Sequence, residues 1–255
     1  MRTTSDDPRS TILITGATDG IGLALARLYR AGGARLILLG RRPLSELDPA
    51  LFTPGTYCKT DLSDPYCPAQ VEHFLLELEI EGIDLLIHNA GTGYYGPVEL
   101  QTEQSIRNVV SVNLTGTILL SHRLVAFVQP VRGKIVLIGS VVSALPCPEY
   151  AVYAATKSAL EGFGRSLRTE LLGTARVQVI HPGATRTGLH AKIGVGRDVV
   201  DWERFPSAED VASKIARAIQ GDRRTVVIGF GNKLAWFAGS YFRGVIDAVM
   251  RGGTR

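Results

Sequence analysis

The sequence predicts one α/β domain on a doubly wound parallel sheet, and two observations carry that prediction. Seven short apolar runs recur along the chain, and stretches of helical periodicity lie between them. Strands that alternate with helices give a parallel sheet covered on both faces, and right-handed crossovers wind the helices onto its two sides. A chain of 255 residues fits one such domain better than two.

The seven runs are residues 11–15, 35–39, 56–60, 83–88, 134–140, 176–180 and 225–229. After the first, Ile21, Leu25, Leu28 and Tyr29 repeat as one face of a helix. The crossover at residues 42–57 holds Pro43, Pro49, Pro54 and Gly55, so its helix is expected to be short or absent. Between the fourth and fifth runs, Val110, Asn113, Leu114, Thr117, Leu120, Leu124, Val125 and Val128 line one side of a long helix within residues 102–128. Beyond the last run, Leu234, Phe237, Tyr241, Val245, Ala248 and Val249 form a weaker stripe. It reads as a tail helix packed on the core or on another subunit, in preference to a peripheral membrane helix, because Lys and Arg are few on its polar face. Residues 1–9 are expected to be a flexible tail, 10–230 the Rossmann-like domain and 231–255 a C-terminal amphipathic helix of the same domain.

Composition narrows the function. Hydrophobic residues make up 45% and charged ones 20%, as in ordinary globular proteins. The net charge of +4 is spread along the chain, which fits a solvated surface and offers no concentrated basic face for nucleic acid. Cys58, Cys67 and Cys147 form no CxxC pair, and the five histidines show no metal spacing. No metal is expected, and a reducing, cytoplasmic setting is the simpler reading. No signal peptide is read in the polar first residues, and no uninterrupted apolar stretch reaches the roughly 20 residues of a transmembrane helix.

The loop after the first strand reads Thr15-Gly16-Ala17-Thr18-Asp19-Gly20-Ile21-Gly22 and leads straight into a helix. Gly16 permits a tight turn, Gly20 a close backbone approach and Gly22 close packing of helix on strand, while the helix N-terminus offers unpaired N–H groups to a pyrophosphate. The second strand then selects the cofactor. NAD-binding folds place an acidic residue at its end for the ribose hydroxyls, but this strand runs into Gly40-Arg41-Arg42. A guanidinium binds a 2′-phosphate bidentately, so NADP(H) is expected ahead of NAD(H), with Arg41 the first candidate and Arg42 the second.

Tyr153 and Lys157 stand four apart on a helix and leave the same face. A free tyrosine titrates near pH 10, and an ammonium beside it favours the phenolate and is expected to lower that value. Ser140 ends the fifth run, where polar side chains face the ligand crevice of a parallel sheet.

On these residues the sequence resembles the classical short-chain dehydrogenase/reductases over about residues 11–230. The motifs are Thr15-Gly16-xxx-Gly20-Ile21-Gly22, Asn89-Ala90-Gly91, Asn113, Ser140, Tyr153-xxx-Lys157 and Pro182-Gly183. The resemblance implies Tyr153 as general acid or base, and Ser140 as the holder of the substrate oxygen. It implies Lys157 as the ligand of the nicotinamide ribose, and Asn113 as the holder of a relay water. It places Asp61, beside Leu62, at the adenine amine, Asn89-Ala90-Gly91 on the adenosine side, and Thr187, near Thr185, at the nicotinamide carboxamide. It also implies a homodimer or homotetramer. Two departures stand out: the shortened second crossover, and Asp19 where several NADP-type relatives carry a basic residue.

The substrate expected is a small carbonyl or alcohol. Val141, Val142, Leu145, Tyr94, Tyr95, Trp202 and Phe205, in segments 141–150, 93–97 and 188–205, point to an apolar one. The alternatives are an NAD-linked alcohol dehydrogenase, and a regulator that binds dinucleotide without turnover. The second has no need of the Ser140, Tyr153, Lys157 and Asn113 set.

Overall fold

The computed structural model describes residues 10–189, 193–195 and 201–252, with side chains to Ala248. The expected tail at 1–9 lies outside these residues, as do 190–192 and 196–200 of the expected cleft-bordering segment and the Val249 side chain. Seven strands form one parallel sheet: β1 (Thr11–Thr15), β2 (Arg35–Gly40), β3 (Tyr57–Lys59), β4 (Leu85–His88), β5 (Lys134–Ile138), β6 (Arg176–His181) and β7 (Thr225–Val227). Their order is β3-β2-β1-β4-β5-β6-β7. The order reverses between β1 and β4, and in such sheets the crevice at the carboxyl ends of the strands at that point takes the ligand.

Strand alternation sends Ile12 and Ile14 to one face and Leu13 to the other. Helices α1 (Gly20–Ala31) and α6 (Ala208–Gln220) cover the first face, where Leu25, Ala212 and Ile215 meet Ile12, Ile14 and Leu36. On the second face, α2 (Cys67–Glu77) and α4 (Gly116–Val128) bring Val71, Leu75, Leu120 and Leu124 against Leu13, Ile37 and Leu86. Each fully buried aliphatic side chain contributes about 1.5–3 kcal/mol, so the sheet end that carries the loops is held by two dense layers.

One local expectation from the sequence is met, and three departures follow it. The second crossover has no α-helix, as its prolines demand, and is carried by a 3-10 turn at Leu44–Glu46. The long helix forms as α3 (Glu103–Val110) and α4 joined by a π turn at Ser111–Thr115, which contains Asn113. The fifth run leaves the ladder after Ile138, so Ser140 sits in the loop beyond the strand. The C-terminal stripe is split at Phe242 into α7 (Phe230–Tyr241) and α8 (Arg243–Gly252).

The stretch Glu103–Val128 is long and apolar enough, by length and composition, to cross a membrane. The sequence reading, which sought an unbroken apolar run, did not single it out. Val109, Leu120, Leu124 and Val128 are buried at 0–1% exposure, as in a core helix of a soluble fold.

Candidate active site

The floor of the site is made where backbones touch. Gly16 and Gly20 adopt φ of 65° and 52°, conformations that a side chain would strain. A Cβ on Gly22 would lie 2.2 Å from the Gly16 carbonyl oxygen, so only glycine lets α1 start against β1. Asp19 caps α1 by accepting the Gly20 N–H at 2.7 Å. At the end of β1, Thr15 Oγ1 accepts the N–H groups of Asn89 and Ala90, both at 3.0 Å, and the Asn89 amide donates to the Thr15 and Gly16 carbonyls. These bonds lock the ends of β1 and β4 together.

A cleft of about 740 Å³ opens above this floor. Its walls contain Gly16, Thr18, Asp19, Gly20, Ile21, Arg41, Arg42, Asp61, Leu62, Asn89, Ala90, Gly91, Ser140, Tyr153, Lys157, Pro182, Gly183, Thr185 and Thr187. Three residues expected at the site stand behind the walls. Thr15 spends its hydroxyl on the strand ends, Gly22 acts through the Cβ it lacks, and Asn113 is fully buried.

The Asn113 amide is held on three sides. Its Oδ1 accepts the Thr92 N–H at 2.8 Å, while Nδ2 donates to the Thr92 carbonyl at 2.9 Å and to Thr156 Oγ1 at 3.1 Å. One lone pair of Oδ1 remains. The point where a Cβ on Gly91 would lie is 3.6 Å from both Asn113 Oδ1 and Lys157 Nζ, so the space over Gly91 is shared by the two groups.

Helix α5 (Ala151–Glu170) carries Tyr153 and Lys157. Lys157 is 3% exposed, donates to the Ile138 carbonyl at 2.9 Å and stands 5.7 Å from the Tyr153 ring centre. Tyr153 and Ser140 line the same cleft. The expected lowering of the phenol pKa is not what the folded chain shows. Burial pushes Tyr153 up to about 12, against a smaller downward pull from the Ser140 side chain. Burial also brings Lys157 down to about 8. Desolvation penalises the charged form of each group.

Elsewhere on the cleft wall, Arg41 Nη1 lies 3.6 Å from Asp61 Oδ2. Asp61 also accepts the Ser63 N–H and hydroxyl, and its carboxyl pKa is lowered: burial opposes the shift, but the bonds from Ser63 and the charge of Arg41 prevail. Arg42 turns away to Glu46, bonding its carbonyl at 2.9 Å, while the Tyr57 hydroxyl donates to the Arg42 carbonyl at 2.7 Å.

The apolar end differs in part from expectation. Val141, Val142, Trp202 and Phe205 line the cleft, joined by Cys147, Tyr150, Leu189 and Ile193. Tyr94, Tyr95 and Leu145 do not line it. Tyr95 packs on Tyr150 with ring centres 5.2 Å apart, Leu145 lies against Gly239 of α7, and the Tyr94 ring folds over Gly96.

Sequence reasoning also missed a polar cluster behind Ser140. His181 Nδ1 lies 2.9 Å from the Ser140 carbonyl oxygen, and its Nε2 lies 2.8 Å from Glu161 Oε2. The available signal was a histidine directly before Pro182-Gly183, and a glutamate one helical turn beyond Lys157.

A parallel sheet with a glycine cradle at its switch point, and a serine, tyrosine and lysine at the strand ends, defines a nucleotide-binding oxidoreductase fold. Residues 10–197 match the family model for short chain dehydrogenases. The chain belongs to the short-chain dehydrogenase/reductase family. It is 34% identical over 265 residues to "Dehydrogenase/reductase SDR family member 7B" of Danio rerio, covering 94% of this chain and 84% of that one. A short-chain dehydrogenase of Burkholderia cenocepacia solved in complex with NADP shares the fold with a TM-score of 0.79 at 21% identity, covering 94% of this chain and 96% of that one. One from Burkholderia phymatum in complex with NAD does so with a TM-score of 0.79 at 22% identity, covering 95% of each chain. As a member of this family, the chain is an oxidoreductase acting on CH–OH or C=O groups.

Proposed function

We propose that the protein is an NADP(H)-dependent oxidoreductase acting on an apolar carbonyl compound or the corresponding alcohol. The observation that carries this reading is the placing of Ser140, Tyr153 and Lys157 together on the wall of the cleft floored by Gly16, Gly20 and Gly91.

The residues present fit a dinucleotide. The positive φ of Gly16 and Gly20 leaves backbone, not side chain, facing the helix N-terminus, as a pyrophosphate requires. When bound, the nicotinamide supplies or accepts the hydride. The chain supplies the rest. Ser140 and Tyr153 donate hydrogen bonds to the oxygen on which negative charge grows, an interaction that strengthens in the transition state. The Tyr153 phenol, raised to about 12 by burial, is protonated at neutral pH as an ordinary phenol is, and that is the form that gives a proton to that oxygen. Lys157, down at about 8, is suited to passing a proton onward near neutrality. A water over Gly91 would join Lys157 to the remaining lone pair of Asn113, whose bonds to Thr92 and Thr156 hold it in place.

NADP(H) is preferred because β2 ends in Gly40-Arg41-Arg42 with no carboxylate of its own. The pairing of Arg41 with Asp61 favours the second reading, an NAD-linked enzyme, since it supplies an anion beside the candidate phosphate ligand. The fold does not choose between them, because structures that share it hold NAD in one case and NADP in another. Thr187 and Thr185 are proposed at the carboxamide end, and Leu62 and Asp61 at the adenine end. The free thiols of Cys58, Cys67 and Cys147 support a cytoplasmic location. Assembly as a homodimer or homotetramer is proposed from the family resemblance and is checked by sedimentation.

The test is a panel of apolar ketones, aldehydes and alcohols, followed by nicotinamide absorbance with NADPH or NADP. Turnover of an apolar member supports the reading. Cofactor binding without turnover across the panel would turn it toward the dinucleotide-binding regulator.

A further inference from the structure

Helix α7 is fixed to the core by one face. Asn232, Trp236 and Gly239, spaced i, i+4 and i+7, make that face. Asn232 Nδ2 donates to the Ile228 carbonyl at 2.7 Å, and Trp236 Nε1 donates to Ser143 Oγ at 3.1 Å. Gly239 lies so close to the Ala144 carbonyl oxygen that a Cβ would overlap it. Phe230, Leu234, Phe237 and Tyr241 repeat with the same helical spacing on the opposite side, and each is 53–78% exposed. Along α7, the stripe that the sequence was expected to pack on the core or on another subunit therefore faces away from the core.

The exposed rings gather into a patch. The Phe237 ring centre is 4.6 Å from that of Tyr241 and 6.3 Å from that of Phe242, which is exposed as well, as is Val245 of α8. The four phenyl and phenol rings leave on the order of 500 Å² uncovered, as large as the largest apolar patch on a typical monomer and the kind that marks an interaction site. Charge accompanies it. Bases are few on α7 itself, but residues 230–255 hold Lys233, Arg243, Arg251 and Arg255 against Asp247, so this segment carries +3 of the chain's net +4. Lys233 and Arg243 are exposed on the two helices that bear the patch. An aromatic and basic surface complements one that is anionic outside and apolar within. A second copy fits less well, because a two-fold contact would bring two such basic surfaces together.

We propose that α7 and α8 form a docking surface for an anionic lipid bilayer, with the Phe230–Tyr241 stripe in the boundary between headgroups and acyl chains and Lys233 and Arg243 at the lipid phosphates. The contact is peripheral: the 12 residues of α7 extend about 18 Å, too short for a hydrocarbon core of about 30 Å. Trp236 joins α7 to the Val141–Ser143 turn, and Val141 and Val142 line the cleft. The apolar end of the cleft then lies about one helix diameter, roughly 10 Å, from the lipid, within reach of an apolar substrate dissolved there. That consequence rests on the proposed function; the docking itself does not.

The test is co-sedimentation of the full chain with large vesicles, either of phosphatidylcholine alone or of a three-to-one mixture of phosphatidylcholine and phosphatidylserine. Wild type is expected to bind the mixed vesicles about tenfold more tightly or better, and to lose that advantage as salt approaches about 1 M. Phe237→Ser combined with Tyr241→Ser should weaken binding about tenfold or more, with circular dichroism and Tm unchanged, since both side chains face outward. Lys233→Glu with Arg243→Glu should abolish the preference for phosphatidylserine. Lys214→Glu with Arg217→Glu, an equal change of charge on exposed positions of α6, should leave binding within about twofold of wild type. In Leu234→Trp, the added indole should be quenched by lipids brominated in the acyl chain. Absence of binding to the mixed vesicles, an equal loss from the α6 pair, or unchanged binding of the serine variant overturns the proposal. Self-association that the serine variant abolishes, without vesicle binding, assigns the face to a second copy and overturns it too. No readout here needs turnover, so failure of the carbonyl panel and failure of the docking are separate results.

Discussion

The Arg41 guanidinium stands 3.6 Å from the Asp61 carboxylate, joining the end of β2 to the loop after β3 at the rim of the cleft. Both side chains are substantially exposed, at 63% and 39%, so the pair adds less than about 1 kcal/mol to stability. Its weight falls on the cofactor. On the proposed NADP(H) reading, a 2′-phosphate would have to compete with Asp61 for the same guanidinium.

From that competition, Arg41→Ala is expected to weaken NADPH about tenfold or more, since a hydrogen bond to a charged group is worth about 1.5–3 kcal/mol, and to leave NADH nearly unaffected. Asp61→Asn moves the other way for NADPH, because the phosphate gains an unshared arginine. Fluorescence titration of both cofactors against the three proteins is the measurement. Equal wild-type affinities for NADPH and NADH would remove the basis for the NADP(H) assignment.

Lys157 makes a prediction about stability that does not depend on turnover. Burial lowers its folded value to about 8, below the ordinary lysine range. Below pH 8 the amine is charged in both folded and unfolded chains, and the full cost of burying that charge opposes folding. Between pH 8 and the unfolded value near 10.4 the unfolded chain binds more protons, so stability rises with pH across this window. Lys157→Met should therefore gain on wild type by up to about 3 kcal/mol at neutral pH, less the bond to the Ile138 carbonyl, and the advantage should shrink toward pH 10. Urea unfolding at a series of pH values gives the answer. A difference between the two proteins that stays flat with pH would contradict the burial argument.

The contrast between what could and could not be read from the sequence follows from the range of the forces involved. The glycine loop, the alternating strands and the proline-blocked crossover were legible because each is a local constraint on φ or on side-chain period. The Tyr153–Lys157 pair was legible because helix geometry puts residues four apart on one face. The π turn around Asn113 was not, since Thr92 and Thr156, which pin the amide, lie 21 and 43 positions away. The same holds for His181 and Glu161, brought together by the packing of α5 on β6. The fate of the loop aromatics was equally non-local: Trp202 and Phe205 reached the cleft, while Tyr95 turned onto Tyr150. The phenol pKa was misjudged because the pair rule weighs charge against charge and is blind to desolvation.

Gly22 offers the plainest steric prediction. Alanine would set its Cβ 2.2 Å from the Gly16 carbonyl oxygen and 2.5 Å from the Asn89 amide nitrogen, both fixed by the β1–β4 lock. Helix propensity alone favours alanine by about 1 kcal/mol, but the overpacking cost of about 1–3 kcal/mol is larger, because the obstructing atom is backbone. Gly22→Ala should lower the urea midpoint and weaken both NADPH and NADH together. Gly162→Ala, in α5 with nothing within 4 Å of its added Cβ, is the control and should be neutral or stabilising. If the two alanine variants behaved alike, the close approach of α1 to β1 would not be the reason for a glycine at position 22.

Tyr153→Phe separates proton donation from every other job in the cleft. The ring keeps its place beside Tyr150, at 6.1 Å between centres, and Lys157 keeps its bond to the Ile138 carbonyl, so the walls that receive the cofactor are unchanged. What disappears is one O–H, and with it both a hydrogen bond to the growing oxyanion and the acid that ends the reaction. General acid catalysis contributes about 10²–10⁴-fold, so kcat should fall by that factor with cofactor affinity within about twofold of wild type. Ser140→Ala should cost less, because Tyr153 can still donate, and the double variant should lose less than the product of the two factors, since both serve one oxygen. Removing the hydroxyl also removes the group whose burial sets it at about 12, so any alkaline limb due to that phenol should be missing from the residual activity of Tyr153→Phe. Rates within a few-fold of wild type would mean that another group delivers the proton, and the assignment of Tyr153 would have to be abandoned.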